Sequence, residues 1–119
     1  MKKYSNLFSP LKVGNLTFRN RIVMAPTSGA NFFTLTPEGY LTRESIAYYE
    51  LKAAGGAAAV TIAEGVVHSK TGQHHPVLPL DDPMILPSLA MAASAIKCHG
   101  AIPSIELQHA GKHGGLARV

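Results

Sequence analysis

The sequence predicts an α/β fold in which short parallel strands alternate with helices. Three observations support this class: the segments follow one another in the order strand, helix, strand, helix, strand, the strand segments carry little charge, and their connections are too long for hairpins. Parallel strands that are covered on both faces have this composition. Crossovers of this length join neighbouring parallel strands in a right-handed sense.

Composition limits the class of protein and of partner. Of 119 residues, 46% are hydrophobic and 15% are charged, against roughly 25% charged in an ordinary soluble domain, so we expect one small core. The 11 basic residues outnumber the 7 acidic ones but are scattered, which excludes a basic stripe for nucleic acid. No apolar run approaches the roughly 20 residues of a membrane-spanning helix, and no signal-peptide core is present. We therefore expect no membrane partner and a cytoplasmic location.

An apolar hairpin is expected to open the fold, followed by the first parallel strand. Leu11–Val13 and Leu16–Phe18 flank Gly14-Asn15, whose leading glycine suits a type II′ turn. The apolar run 21–25 then predicts a strand. Pro26 ends this strand because proline cannot donate to a sheet ladder.

The first helix has clear signals at both ends. After a polar loop at 27–37, Thr42 is placed to cap a helix that runs to about Ala54. Glu44 lies in its first turn, where a negative charge favours the helix dipole. Gly55-Gly56 is expected to stop the helix.

Two more strands and a second helix complete the pattern. The uncharged run 57–63 predicts the second strand, closed by Glu64-Gly65, and a polar loop follows to Pro83. A helix is expected to begin at Pro87 and to end before Gly100, and 101–107 predicts the third strand. One face of the second helix carries apolar residues at helical spacing, namely Leu89, Ala92, Ala93 and Ile96.

Metal-binding signals are weak. The single cysteine, Cys98, excludes an internal disulfide and is expected to be a small buried residue. His109 and His113, or the adjacent His74-His75, could suggest a metal, but zinc sites usually need three or four fixed ligands. We favour solvated or structural roles for these histidines and expect no metal.

Candidate binding residues lie where the three strands end. Ligands of parallel α/β proteins bind beyond the carboxyl ends of the strands, where this sequence places 25–28, Glu64-Gly65 and 106–111. Small residues there allow a flat ligand to approach the backbone. On spacing alone, a simple turn role is favoured, and Glu64 is favoured as a structural acceptor over a general base.

Six ordered motifs stand at characteristic separations along the chain. They are 8–16 (Phe-Ser-Pro-Leu-Lys-Val-Gly-Asn-Leu), 20–26 (Asn-Arg-Ile-Val-Met-Ala-Pro), 48–56 (Tyr-Tyr through Gly-Gly), 64–68 (Glu-Gly-Val-Val-His), 99–101 (His-Gly-Ala) and 109–112 (His-Ala-Gly-Lys). Together they resemble the opening of the Old Yellow Enzyme family of FMN-dependent NAD(P)H oxidoreductases. The similarity runs from about Leu7 to Lys112 and is strongest to the bacterial branch of 2,4-dienoyl-CoA reductase, enoate reductase and trimethylamine dehydrogenase-like enzymes.

The resemblance implies a TIM (β/α)8 barrel whose amino-terminal hairpin plugs the bottom, with FMN across the top. A whole barrel takes about 250 residues, so residues 1–119 are expected to be a partial FMN-binding domain that lacks strands 4–8. NADH or NADPH would reduce the flavin, and its N5 would pass hydride to an enone or an enoyl thioester. An iron–sulfur (4Fe-4S) cluster, found in longer branch members, would belong to the missing part.

The resemblance also assigns cofactor-binding residues. Ala25, Pro26, Thr27 and Ser28 are expected to run along the flavin ring, and Gly65 is expected to pass close to its pyrimidine end. Glu106 stands where many relatives have Gln. A carboxylate only accepts hydrogen bonds, and its charge opposes the anionic reduced flavin. The substrate-side and phosphate-binding residues belong to later strands, so we expect no catalytic residue in this chain, weak FMN binding at most, and no activity from the 119 residues alone.

Two interpretations remain. The chain is either the amino-terminal part of an FMN-dependent oxidoreductase or a non-catalytic remnant that self-associates through its open sheet edges. The expected partner is accordingly the missing barrel half or another copy, which Tyr40 could reach.

Overall fold

The structure is a computed structural model that describes residues 3–27 and 35–115. Its elements, in chain order, are strands β1 (Leu11–Val13), β2 (Leu16–Phe18) and β3 (Val23–Met24), helix α1 (Arg43–Ala54), strand β4 (Ala59–Val66), helix α2 (Ser69–Gly72), strand β5 (Leu78–Pro79), helix α3 (Leu86–Lys97) and strand β6 (Ile102–Gln108). Single 3-10 turns lie at Pro83–Ile85 and Gly111–His113.

The main sheet is parallel, with β4 between β3 and β6. Ala59 pairs with Val23 on one side and with Ile102 on the other, and β5 pairs in parallel beside the end of β4. The predicted α/β class is confirmed. Helices α1 and α3 pack beside one another and against β4 and β6.

The predicted hairpin is present and precedes the main sheet in the chain. Strands β1 and β2 pair antiparallel, with Val13 opposite Leu16. Gly14 takes φ +56°, a conformation that glycine adopts without steric cost. Leu11, Val13 and Leu16 remain exposed on it.

Helix α1 begins and ends as predicted. The Thr42 hydroxyl oxygen accepts a hydrogen bond from the Ser45 N–H at 3.3 Å, which satisfies one of the free donors of the first turn. Tyr49 and Ala53 are fully buried on the face toward the sheet. The chain leaves the helix at Gly56, whose φ of +106° only glycine adopts readily.

Strand β4 extends beyond the predicted end at Ala63 and includes Glu64-Gly65, which the sequence had suggested as its stop. The strand continues through a β-bulge, since Ile62 pairs with Ile105 and Gly65 pairs with Leu107. Two residues therefore oppose the single residue Glu106. Glu64 takes φ +57°, which is unusual for a residue with a side chain.

The first strand is shorter than predicted, with only Val23–Met24 in the ladder. Of the residues before it, Ile22 still accepts from the Ala58 N–H at 2.8 Å, whereas the Arg21 N–H donates to the Leu7 carbonyl at 2.9 Å. The third strand is shifted one residue toward the carboxyl end, to Ile102–Gln108.

The loop predicted at 65–83 contains regular structure, because α2 and β5 lie within it. The second predicted helix, α3, begins at Leu86, one residue before Pro87. The 3-10 turn in front of it is capped by Asp82, whose carboxylate accepts from the Met84 N–H at 2.9 Å.

The core forms between the two long helices and the sheet. Its central side chains are Tyr49, Val60, Ile62, Leu78, Ile85, Ala92 and Ile96. The opposite face of α3 stays exposed, with 56% of Met91 accessible. No helix among the described residues is long and apolar enough to cross a membrane.

Cys98 is exposed, so the prediction that it is buried is wrong. It lies two residues after the buried Ile96, which places it about 200° around the helix axis from the core. Its thiol lies 3.0 Å from the Ala95 carbonyl oxygen.

Arg19 ties the segment before β3 to the ends of both long helices. Its guanidinium donates to the carbonyl oxygens of Ala53 at 2.9 Å, Ala57 at 2.8 Å and His99 at 2.6 Å. Asn20 adds a hydrogen bond to the Gly56 carbonyl at 2.8 Å. Charge-assisted donors at helix ends satisfy carbonyls that have no partner within the helix.

Candidate functional site

The predicted ligand-binding segments meet at one edge of the sheet. Ala25–Thr27 follow β3, Gly65 lies near the end of β4, and Glu106 lies near the end of β6. Because the three strands are parallel and β4 is central, their carboxyl ends point the same way. Ser28, the remaining predicted residue, lies outside the described residues.

A hydrogen bond across the bulge fixes Glu106. The main-chain N–H of Glu64 donates to Glu106 Oε2 at 3.3 Å. The bulge permits this contact, because the left-handed backbone of Glu64 takes its N–H out of the regular ladder. The Glu106 carboxylate is therefore held against the end of β4 and is only partly buried.

The Glu64 side chain contacts a histidine from the following loop. Its Oε2 lies 3.3 Å from Nε2 of His75, and 17% of the Glu64 side chain is exposed. The distance suits an ion pair with a protonated imidazole, although the two atoms lack hydrogen-bond alignment. This contact supports the structural interpretation of Glu64 over its use as a general base.

Gln108 is a candidate that the sequence interpretation did not single out. Its Nε2 lies 3.2 Å from Nδ1 of His74, and its Oε1 is buried without a hydrogen-bond partner among the described residues. The period of a strand gives the missing signal, because Glu106 and Gln108 are two residues apart and share a face. A buried acceptor without a hydrogen-bond partner is uncommon in native proteins.

Gly65 is required by packing. A Cβ at this position would lie 2.6 Å from Cδ1 of Leu80 and 3.0 Å from the carbonyl oxygen of Glu106. The first distance is shorter than Cβ contacts in proteins and the second is tighter than most of them, so a side chain here would force Leu80 to shift. The missing side chain thus lets Leu80 cover the end of β4, which is a role that the sequence prediction did not include.

His109 organises the loop after β6. Its Nδ1 accepts from the Gly111 N–H at 3.0 Å, and its Nε2 lies 3.3 Å from the Thr71 hydroxyl. A neutral ring that accepts at Nδ1 carries its proton on Nε2. The ring also lies against Gly72, where a Cβ would approach it to 2.7 Å. These contacts support a structural role.

The loop before α1 is joined to the loop before α3 by Tyr40 and Asp82. The Tyr40 hydroxyl donates to Asp82 Oδ2, so within this chain the hydroxyl already has a partner. This hydrogen bond raises the pKa of Tyr40 to about 12. The same bond, together with the Met84 N–H, lowers the pKa of Asp82 from its usual value.

A polar cavity lies beside this edge and not on it. It has a volume of about 310 Å³ and is lined by polar residues that include Thr36, Gln73 and Asp82. Among the described residues, none of those predicted to bind the cofactor lines it. The strand ends at this edge form an open surface and not an enclosed pocket, so the volume of a cavity does not identify the site.

The donor and acceptor types at this edge fit one border of a flavin ring. The ring N3–H needs an acceptor, and the oxygens of Glu106 and Gln108 are acceptors on one strand face. The unpartnered Gln108 Oε1 is an orphaned buried acceptor of the kind that a ligand donor would satisfy. Ala25 and Pro26 are short and exposed beside them.

Comparison with known proteins agrees with this arrangement. The sequence model of the NADH:flavin oxidoreductase / NADH oxidase family matches residues 6–117. A relative described as a metal reductase from Desulforamulus reducens is 34% identical over 113 residues, which cover 95% of this chain and 16% of the relative.

Two solved structures show the same fold over nearly the whole chain. The complex of 2-naphthoyl-CoA reductase with 2-naphthoyl-CoA has a TM-score of 0.84 at 31% identity and covers 93% of this chain and 16% of that protein. The Old Yellow Enzyme from Trypanosoma cruzi has a TM-score of 0.78 at 23% identity and covers 93% of this chain and 29% of that protein.

The resemblance seen in the sequence motifs is therefore confirmed. The chain spans between about a sixth and a third of the length of these relatives. With almost all of its residues matched, the chain belongs to the NADH:flavin oxidoreductase / NADH oxidase family.

Proposed function

We propose that this chain supplies the first arc of a (β/α)8 barrel and one border of the FMN site of an NAD(P)H-dependent oxidoreductase. The observation that carries the proposal is the convergence of Ala25–Thr27, Gly65 and Glu106 at the carboxyl ends of three parallel strands. Membership of the family supports a flavin as the ligand.

The open side of the sheet supports the barrel part of the proposal. An apolar groove of about 200 Å³ lies between α3 and β6 and is lined by Ile62, Leu89, Ala93, Pro103, Ser104 and Ile105. In a (β/α)8 barrel, the next strand pairs with the last one and its helix covers the adjacent groove. The remaining strands of the barrel are thus the proposed partner of this surface.

Each residue has a distinct proposed role at the flavin. Ala25, Pro26, Thr27 and Ser28 present backbone and short side chains along the ring, and Gly65 lets the end of β4 close beneath it. Glu106 and Gln108 offer acceptor oxygens to the pyrimidine border. The bound flavin would supply two-electron hydride transfer between a nicotinamide and the substrate.

We further propose that the substrate is an activated alkene, as an enone or an enoyl thioester. The structure of 2-naphthoyl-CoA reductase with its thioester ligand supports the thioester class, since that protein is similar over 93% of this chain. The residues that would polarise the substrate carbonyl are proposed to lie on strands that follow β6.

The test is anaerobic reduction of this chain purified together with the remaining strands of the barrel, after incubation with FMN and removal of the unbound cofactor. We expect a yellow protein whose flavin absorbance bleaches on addition of NADH or NADPH and returns on addition of an enoyl thioester or an enone. Return with ferric iron alone would support the family activity and overturn the alkene class. A colourless self-associating protein that takes up no FMN would favour the non-catalytic interpretation and overturn the proposal.

A further inference from the structure

Three metal-ligating side chains of different types meet at the opposite end of the sheet from the flavin site. Glu50 lies near the carboxyl end of α1, and Cys98 and His99 follow the last residues of α3. These helix ends lead into the amino ends of β4 and β6. The three residues, called here the Glu50 cluster, are therefore separate from the residues assigned to FMN.

The donor atoms of the Glu50 cluster are already close together. His99 Nε2 lies 3.2 Å from Glu50 Oε1, and the Cys98 Sγ lies 4.0 Å from the same oxygen. All three atoms lie within 4.8 Å of one another. Ligands of a tetrahedral zinc ion are roughly 3.3–3.5 Å apart, given metal–ligand lengths of about 2.0–2.3 Å. Small side-chain movements would thus complete the three-ligand geometry.

The chemistry of the cluster favours zinc over a hard cation. A thiolate, an imidazole and a carboxylate are all zinc ligands, whereas calcium and magnesium select oxygen. The Cys98 thiolate and the Glu50 carboxylate each carry one negative charge when they bind, so together they neutralise a divalent ion. The side chains of His99 and Glu50 are 34% and 43% exposed, so an ion can enter and water can occupy a fourth position.

The backbone around the cluster is fixed by other contacts. Arg19 donates to the His99 carbonyl, while its remaining hydrogen bonds go to the carbonyls of Ala53 and Ala57. These contacts hold the ends of α1 and α3 in place before any ion arrives. An exposed ion pair such as Glu50–His99 contributes little to stability on its own. The pair also does not explain why the Cys98 thiol lies beside it.

We propose that the Glu50 cluster binds one zinc ion, which links the carboxyl ends of α1 and α3. The sequence interpretation expected no metal, because it weighed only histidine pairs in loops and placed Cys98 in the core. Cys98 is in fact exposed, so its thiol is accessible to a metal ion, and this changes the conclusion that no metal binds. The site needs neither FMN nor a substrate, so the proposed function and this inference can fail independently.

The test uses the purified protein and two metals. We expect one equivalent of Co²⁺ to produce visible d–d bands with a thiolate charge-transfer band, and Zn²⁺ to displace it. Cys98→Ser should abolish the charge-transfer band, and Glu50→Gln should weaken binding. Glu44→Gln, on the same helix but distant from the cluster, is the matched control and should bind like the unaltered protein.

Alkylation of Cys98 gives a second measurement that does not depend on spectra. Zn²⁺ should slow modification of this thiol, followed by mass spectrometry of its peptide, and Glu50→Gln should remove the protection. Cobalt binding that survives Cys98→Ser, or a thiol that reacts equally fast with and without zinc, would overturn the proposal. Failure to bind either metal would overturn it as well.

Discussion

The main-chain N–H of Glu64 donates a hydrogen bond to the carboxylate of Glu106 across β4 and β6, with 3.3 Å between N and Oε2. A bulge in β4 places that N–H beyond the regular ladder. The contact uses one carboxylate oxygen and leaves the other for a ligand. It also fixes a negative charge at the edge where we place the flavin.

Replacing Glu106 with glutamine is expected to raise the flavin reduction potential of the loaded protein. The neutral amide no longer opposes the anionic reduced ring, and its NH₂ group can donate as well. We expect a shift of about 30 mV, which corresponds to roughly 1.4 kcal/mol for a two-electron couple. Spectroelectrochemical titration measures it, with Glu44→Gln as the control. An unchanged or lower potential would contradict the assignment of Glu106 to the ring.

Gly65→Ala is expected to destabilise the fold by about 1–3 kcal/mol, because the new Cβ overlaps Leu80 Cδ1 at 2.6 Å and approaches the Glu106 carbonyl oxygen to 3.0 Å. Urea unfolding followed by circular dichroism measures the change. Combining it with Leu80→Ala removes the overlap with the Leu80 side chain and leaves the close approach to Glu106, so the double variant should lose less stability than the sum of the single variants. Additive losses would show that Leu80 is not the neighbour that requires glycine.

Arg19→Ala is expected to cost about 2 kcal/mol or more of unfolding free energy. It removes a charged donor from three carbonyls at the ends of α1 and α3, and hydrogen bonds to charged groups contribute about 1.5–3 kcal/mol each. Arg21→Ala is the matched control, since the Arg21 side chain makes one exposed hydrogen bond, to the Ser9 hydroxyl. Equal losses in the two variants would contradict the role assigned to Arg19.

The Tyr40–Asp82 hydrogen bond is expected to make stability depend on pH at both extremes. The lowered pKa of Asp82 contributes stability that is present above the ordinary carboxyl pKa of 3.8 and is lost as the pH falls through the folded value. The raised pKa of Tyr40 contributes stability that is present below pH 10.0 and is lost as the pH rises toward about 12.

Tyr40→Phe removes this coupling. We expect it to reduce stability near neutral pH and to make acid unfolding less steep, although Asp82 keeps its hydrogen bond from the Met84 N–H. Thermal unfolding across pH 2 to 11 measures both effects. A pH profile identical to that of the unaltered protein would show that the hydrogen bond does not persist in solution.

The sequence predicts most of this fold because its signals are local. The Thr42 cap and the Gly55-Gly56 stop define α1, and helical spacing identifies the buried face of α3. The end of β4 was missed because a bulge at Glu64 depends on how β6 pairs beside it. No local signal shows that a non-glycine residue will take a positive φ.

The candidate site was likewise predicted from the sequence only in part. The family resemblance predicted Gly65 and Glu106 as cofactor-binding residues, and parallel pairing brings them to one edge. The contact of Glu64 with His75 and that of Gln108 with His74 join separate parts of the chain, so composition could not reveal them. Cys98 was misplaced because small apolar character was given more weight than its position around the helix.

Arg19 has consequences for synthesis on the ribosome. Its carbonyl partners lie 34, 38 and 80 residues downstream. At a translation rate of about 5–20 residues per second, the last partner is made roughly 4–16 s after the arginine itself. Until then, the nascent amino-terminal segment lacks its anchor at the end of α3.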